Sequence, residues 1–203
     1  MILIGYSGHA YVVQGILKTL GKTVHAYCDT ILNEKNPFNL DYLGSENSEN
    51  AINELYKNEF FISIGNNHIR RKVYENLTTK NLLPINAIDS SAIICQSAIV
   101  ANHGVMIGAG AIINALSKIG DAAICNTGCI IEHECEIGEF SHICPGTILC
   151  GNVTVGFNTF VGAGSVVKQG VIIGNNVTIG AGSVVINNIP DNAIVFGNPA
   201  KLK

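Results

Sequence analysis

The stretch IGEFSHICPGTILCGNVTVGFNTFVGAGSVV, residues 137–167, repeats with a period of six. Stepping by six from Ile107 gives Ile113, Ile119, Cys125, Ile131, Ile137, Ile143, Leu149, Val155, Val161, Val167, Ile173, Ile179 and Val185, all apolar. Four positions after each comes a small or β-branched residue, from Ala111 and Ser117 through Cys129, Cys135 and Thr147 to Ser183. Glycine often follows the aliphatic residue directly, as at Gly108, Gly120, Gly138, Gly156, Gly162, Gly174 and Gly180. A six-residue period is neither helical nor simply alternating. It fits a short strand and a tight turn, repeated, with three units closing a triangular coil whose large aliphatics stack inside.

Upstream, Ile93, Ile99 and Val105 keep the step but stand two residues out of phase with Ile107. This predicts a register break near Asn102–Gly104, within a coil running from about residue 89 to about 187. Residues 1–83 read differently. MILIG, KTVHAYC and FFISIG read as strands. GHAYVVQGILKTLG, SENAINELYKN (with Ser48 as cap) and NNHIRRKVYENLTTKN read as helices. Alternating strands and helices predict a small parallel α/β sheet. The expected division is an α/β unit over 1–83 and a β-helix over 84–203.

Composition narrows the function. The 203 residues are 47% hydrophobic and 13% charged, with net charge −3 and no basic stripe, which argues against nucleic acid and anionic membranes as partners. No apolar run reaches the roughly 18–20 residues that span a bilayer. The opening lacks the basic flank and small-residue cleavage site of a signal peptide. Seven cysteines (Cys28, Cys95, Cys125, Cys129, Cys135, Cys144 and Cys150) form no CxxC pair. They read as reduced thiols acting as small hydrophobes, so a cytoplasmic protein without a bound metal is expected.

The turn Gly5-Tyr6-Ser7-Gly8-His9-Ala10 joins the first strand to the first helix, where bare backbone N–H groups and a helix N-terminus favour an anion. Asp29 lies where a ribose-binding carboxylate would sit, and Gly65-Asn66-Asn67 adds a polar lip. Three such features on one sheet edge point to a nucleotide. Within the repeat, His133, Glu134 and His142 avoid the inward slots. A histidine beside a carboxylate is the minimal unit of a general base.

Uninterrupted hexads resemble those of the hexapeptide-repeat acyltransferases, which implies a left-handed coil against the usual right-handed crossover. GYSGHA, ISIGNNHIRRK, NTGCIIEHECEIGEFSH and VFGNPAK together resemble the PglD/NeuD family of sugar acetyltransferases, across both units in the same order. The likeness is greatest to enzymes that N-acetylate a UDP-linked 4-amino-4,6-dideoxy sugar. It implies acetyl-CoA as co-substrate, a homotrimer with active sites between neighbouring coils, His133 as catalytic base and Glu134 as its assisting carboxylate. It also implies His142, Gly151, Ala163 and Ala181 at the acetyl-CoA site. Ser7, Gly8, His9, Asp29, Gly65 and Asn126 would serve the UDP-sugar. Where the family often has a second acidic residue after strand two, this chain has Thr30. Two alternatives are O-acetylation of sialic acid or another surface-glycan sugar, and a non-catalytic sugar-nucleotide-binding trimer.

Overall fold

The computed structural model describes residues 1–203. The N-terminal sheet has four parallel strands, β1 (Ile2–Ile4), β2 (Ala26–Cys28), β3 (Asp41–Tyr42) and β4 (Phe60–Ile62), in the order β3-β2-β1-β4. The three long strands are wholly buried, as suits parallel strands covered on both faces. Helix α1 (Gly8–Thr19) packs Ala10, Val13, Ile16 and Leu17 on one side of the sheet. Helices α2 (Glu49–Leu55) and α3 (Asn67–Thr78) cover the other. Ser48 caps α2 by accepting from the Ala51 N–H, as expected. The two-residue edge strand β3 was not foreseen.

The chain then enters a triangular parallel β-helix of two-residue strands, left-handed as the hexads implied. Its first face begins at Ala87–Ile88, its second at Ile93–Ile94 and its third at Ile99–Val100. Strands pair 18 or 19 residues apart, shortening to 16 in the last turn, so Ile107, Cys125, Ile143, Val161 and Ile179 stack inward along the first face. Inward hydroxyls bond to carbonyls of the next turn, as Ser141 Oγ does to Gly156 O at 2.6 Å and Thr159 Oγ1 to Gly174 O at 2.8 Å. The coil interior therefore tolerates serine and threonine without orphaned polar groups. Glycine after an aliphatic residue has a steric cause: a Cβ on Gly138 would lie 2.6 Å from the Phe157 nitrogen, and one on Gly156 2.6 Å from the Gly174 carbonyl carbon.

The register expectation upstream needs correction. Ile94 and Val100 pair with Ile113 and Ile119 and face inward, while Ile93 and Ile99 are 63% and 62% exposed. One extra residue in the corner between Val100 and Ile107 causes the shift, with Gly104 at φ +73°. Because Ile93-Ile94 and Ile99-Val100 are both apolar pairs, either member could have filled the slot. The coil also extends further than expected, through Ile194–Phe196 on the first face, which Lys201–Leu202 then joins antiparallel. No helix is long and apolar enough to cross a membrane.

The N-terminal sheet sits against the first face, where Met106 and Ile124 join the core under α1. Arg70 of α3, fully buried, crosses the same junction. Its N–H groups donate to the carbonyls of Ala122 and Phe140 on the coil and of Ile64 and Gly65 after β4.

Candidate active site

At the carboxyl edge of the N-terminal sheet, β1 and β4 run into α1 and α3. Both helix N-termini aim at one crevice, the position where open α/β sheets take ligands. A cavity of about 400 Å³ opens there, lined among others by Gly5, Ser7, Asp29, Glu46, Gly65 and Asn66. Gly5 turns the chain at φ +86°. Ser7, at the N-cap of α1, makes no side-chain cap bond, so its exposed hydroxyl is free. Asp29 has a structural task that the sequence did not suggest. Its Oδ2 accepts the Tyr6 N–H at 2.8 Å and its Oδ1 the Thr30 N–H at 2.7 Å, tying together the loops after β1 and β2. A second cavity of about 550 Å³ adjoins through Tyr6, Asp29 and Thr30 and is walled by residues 31–35.

His9, in the first turn of α1, lies against Gly65 and has its ring centroid 6.0 Å from that of His142. His142 leaves the first face between Ile124 and Phe160 but does not reach solvent, since the N-terminal sheet covers it. It avoids the inward slots, as its place in the hexad implied, but points into the junction between the two units. Its Nδ1 lies 3.2 Å from Gly65 O and its Nε2 3.0 Å from Asn126 Nδ2. A carbonyl only accepts, so Nδ1 carries the proton and Nε2 takes the amide N–H. Asn126 and His142 were assigned to different ligands, yet they are bonded to each other.

Burial, followed by the charge of Arg70, pushes His9 down to about 4; the same causes, with His9 added, push His142 down to about 3. Both are neutral in the folded protein and gain protons in the unfolded chain below about 6.5. The unfolded state thus binds more protons, so the stability they contribute is complete above that pH and is lost as pH falls through about 4 for His9 and about 3 for His142. The urea midpoint should decline across this window, and less steeply in His142→Asn. Equal slopes would contradict the assignment.

The predicted base lies elsewhere. His133 and Glu134 follow the second-face strand Ile130–Ile131 and occupy the corner between the second and third faces. Asn126, Ala163 and Ala181 occupy the corner between the first and second. One side of the triangle separates the two corners, at most about 20 Å of extended chain. His133 Nδ1 lies 3.0 Å from Glu134 Oε2, both side chains about half exposed. Glu134 takes φ +59°, a left-handed conformation unusual for glutamate. With Nδ1–H donated to the carboxylate, Nε2 is left bare. That edge of the ring lies over Gly151, one turn along, where a Cβ would sit 2.4 Å from Nε2.

The predicted residues thus form two groups: Ser7, Gly8, His9, Asp29, Gly65, Asn126 and His142 with Ala163 and Ala181 beyond, and His133, Glu134 and Gly151. Sequence reasoning missed Arg70. The available signal was its place on the buried stripe of α3, beside Asn67, Val73 and Leu77.

Residues 1–77 match the PglD N-terminal domain, and residues 152–187 match the bacterial transferase hexapeptide (six repeats). Among solved structures, a histidine-to-asparagine mutant of perosamine N-acetyltransferase from Caulobacter crescentus, in complex with CoA and GDP-perosamine, is 36% identical. It matches with TM-score 0.92 over 100% of this chain and 95% of that one. The acetyltransferase domain of PglB from Neisseria gonorrhoeae FA1090, in complex with acetyl coenzyme A, is 30% identical with TM-score 0.89, over 100% of this chain and 98% of that one. WeeI from Acinetobacter baumannii AYE, at 22% identity and TM-score 0.85 over 100% of this chain and 98% of that one, shares the fold. With both units matched in order along its whole length, the chain belongs to the PglD/NeuD family of sugar acetyltransferases.

Proposed function

We propose that the protein is an acetyl-CoA-dependent N-acetyltransferase acting on the 4-amino group of a UDP-linked 4-amino-4,6-dideoxy sugar. His133 is its general base, and the working unit is a homotrimer. The observation that carries this reading is the outer surface of the second face. Ile93, Ile112, Ile130, Ile148, Val166 and Val184 stand in register there, an aliphatic ladder with no partner in the chain. The third face instead carries Lys118, Glu136 and Thr154 between Ile99 and Ile172, with Lys118 and Glu136 ion-paired at 2.7 Å, so its aliphatic residues form no continuous row. The first face is covered by the N-terminal domain over Met106, Ile124 and His142.

The two groups of site residues lie at the two edges of that ladder. Three copies with their second faces turned toward a common axis bring the His133 corner of one beside the Asn126 corner of the next. A repeated head-to-tail contact of this kind closes into a ring. Acetyl-CoA then runs between neighbouring coils, past Gly151 on one and Ala163 and Ala181 on the other. The nucleotide sugar is held by Ser7, Gly8, Asp29 and Gly65, near the His142–Asn126 pair.

In that arrangement the 4-amino nitrogen attacks the thioester carbonyl, forming the C–N bond. The bare Nε2 of His133 accepts the amine proton, and Glu134 faces the Nδ1–H of the resulting imidazolium. Collapse of the tetrahedral adduct breaks the C–S bond, and the proton passes to the departing thiolate. GDP-perosamine in the Caulobacter enzyme makes the base of the nucleotide a point to test.

Thiol release from acetyl-CoA, measured with UDP- and GDP-linked 4-amino sugars and with free and CMP-linked sialic acid, separates the readings. Turnover with a UDP-linked amine and none with the hydroxyl acceptors is expected. Exclusive use of sialic acid, or no thiol release with any acceptor, would overturn the proposal. Gly151→Ala should lower kcat by about 10–10²-fold, because the new methyl displaces the His133 ring from its place. Since that ring is exposed, the melting temperature should move little.

A further inference from the structure

Arg70 is a charged group for which the reaction above has no use. It is fully buried, and no carboxylate faces it. Its guanidinium carries five N–H donors, and five bonds are formed, every one to an uncharged oxygen. Nε donates to Ala122 O at 2.9 Å, and Nη2 to Asn67 Oδ1 at 2.9 Å and Phe140 O at 2.7 Å. Nη1 donates to Ile64 O at 3.0 Å and Gly65 O at 3.1 Å. Burying an unpaired cation is costly, and a merely apolar junction would be served by leucine or methionine. What the planar fork adds is direction. It locks two stacked coil corners, at Ala122 and Phe140, to the strand end that lines the nucleotide cavity.

The Gly65 carbonyl is where this reaches the site. One of its lone pairs takes the Arg70 N–H and the other the His142 Nδ1–H. His142 Nε2 then accepts from Asn126 Nδ2, and Asn126 Oδ1 in turn accepts the Thr127 N–H at 2.8 Å. Every donor and acceptor in the chain Arg70–Gly65–His142–Asn126–Thr127 has its role set by its neighbour. The Thr127 N–H can only donate, so it orients the Asn126 amide from one end, while the Gly65 carbonyl holds the His142 Nδ1–H from the other; rotating the Gly65 peptide removes the second of these constraints on the tautomer.

We infer that Arg70 is a positioning residue for acetyl transfer: by fixing the Gly65 carbonyl it holds the Nδ1–H tautomer of His142 and sets the ring against the Asn126 amide that the Thr127 N–H orients. The inference rests on the proposed function for its consequence and on geometry alone for the tautomer. Burial and the guanidinium charge also keep His142 neutral, so the tautomer is the only state it has to choose.

The test is histidine side-chain ¹⁵N NMR on the full-length protein, with the His142 signals assigned by their loss in His142→Asn, together with steady-state kinetics. Wild type should show a protonated Nδ1 and a bare Nε2. Arg70→Met should mix the tautomers and lower kcat by about 10²-fold, while KM for acetyl-CoA stays within about twofold. Arg70→Lys keeps the charge but loses the fork, and should show the same tautomer mixing in a protein that still assembles. It carries the test if Arg70→Met does not fold. A wild-type His142 protonated on Nε2, or variants with unchanged kcat beside an active wild type, overturn the positioning role. A wild type with the expected tautomer that transfers acetyl to no sugar nucleotide overturns that role and the proposed function together.

Discussion

His133→Ala should reduce kcat by about 10²–10⁴-fold, the range lost when a general base is removed, with little change in KM for either substrate. The expectation rests on the state of the imidazole. Nδ1 is committed to Glu134 at 3.0 Å, so the free lone pair is on Nε2. The residue sits at an exposed corner and holds up no part of the core, so its loss should leave melting temperature and assembly as they were. His133→Ala therefore separates chemistry from structure cleanly. Glu134→Gln should fall short of it, since an amide can still accept from Nδ1–H but cannot neutralise an imidazolium. Near wild-type turnover in folded His133→Ala would remove the histidine from the mechanism.

Breaking the aliphatic ladder should have an effect of similar size by another route. Ile148 lies within the ladder, between Ile130 and Val166. In the proposed trimer, Ile148→Asp would place three carboxylates at the shared axis, each desolvated and each repelling the other two. Burying an unpaired charge costs several kcal/mol, more than a short apolar contact returns. The variant should behave as a monomer in light scattering, keep the circular dichroism of the coil, and lose transfer by about 10²-fold or more. The outward position of Ile148 protects the fold, because inward stacking is carried by Ile131, Leu149 and Val167. A monomer with full activity would mean that one chain holds a complete site.

The coil was legible because a triangular turn admits so few residues at its inward and corner positions. From Ile107 to Val185, one register satisfies the sterics, and the structure adopts it. Upstream that logic weakened, since Ile93-Ile94 and Ile99-Val100 offer two apolar candidates per strand and a single inserted residue decides between them. Edge strand β3 has only Asp41 and Tyr42, too short for any periodicity. The site was legible as a set of residue types but not as an arrangement. Local spacing brought His133 and Glu134 together, as observed. It could not reveal that His142 is roofed over by Gly65, 77 residues away, because that contact exists only once the N-terminal sheet has docked on the first face. Arg70 was hidden for the same reason: two of its oxygen partners, Ala122 and Phe140, lie 52 and 70 residues along the chain.

The central claim is that one copy's imidazole serves the sugar held by its neighbour. Mixed trimers test it directly. His133→Ala disables one corner, and Ser7→Trp fills the mouth of the nucleotide cavity in the other group, so each variant alone should be inactive. Co-expressed at equal amounts, they should recover about a quarter of wild-type activity, since every mixed ring contains one site built from two intact halves and three in four rings are mixed. A mixture of assembled trimers that stays as inactive as its components would mean that imidazole and sugar belong to the same chain, contrary to the account.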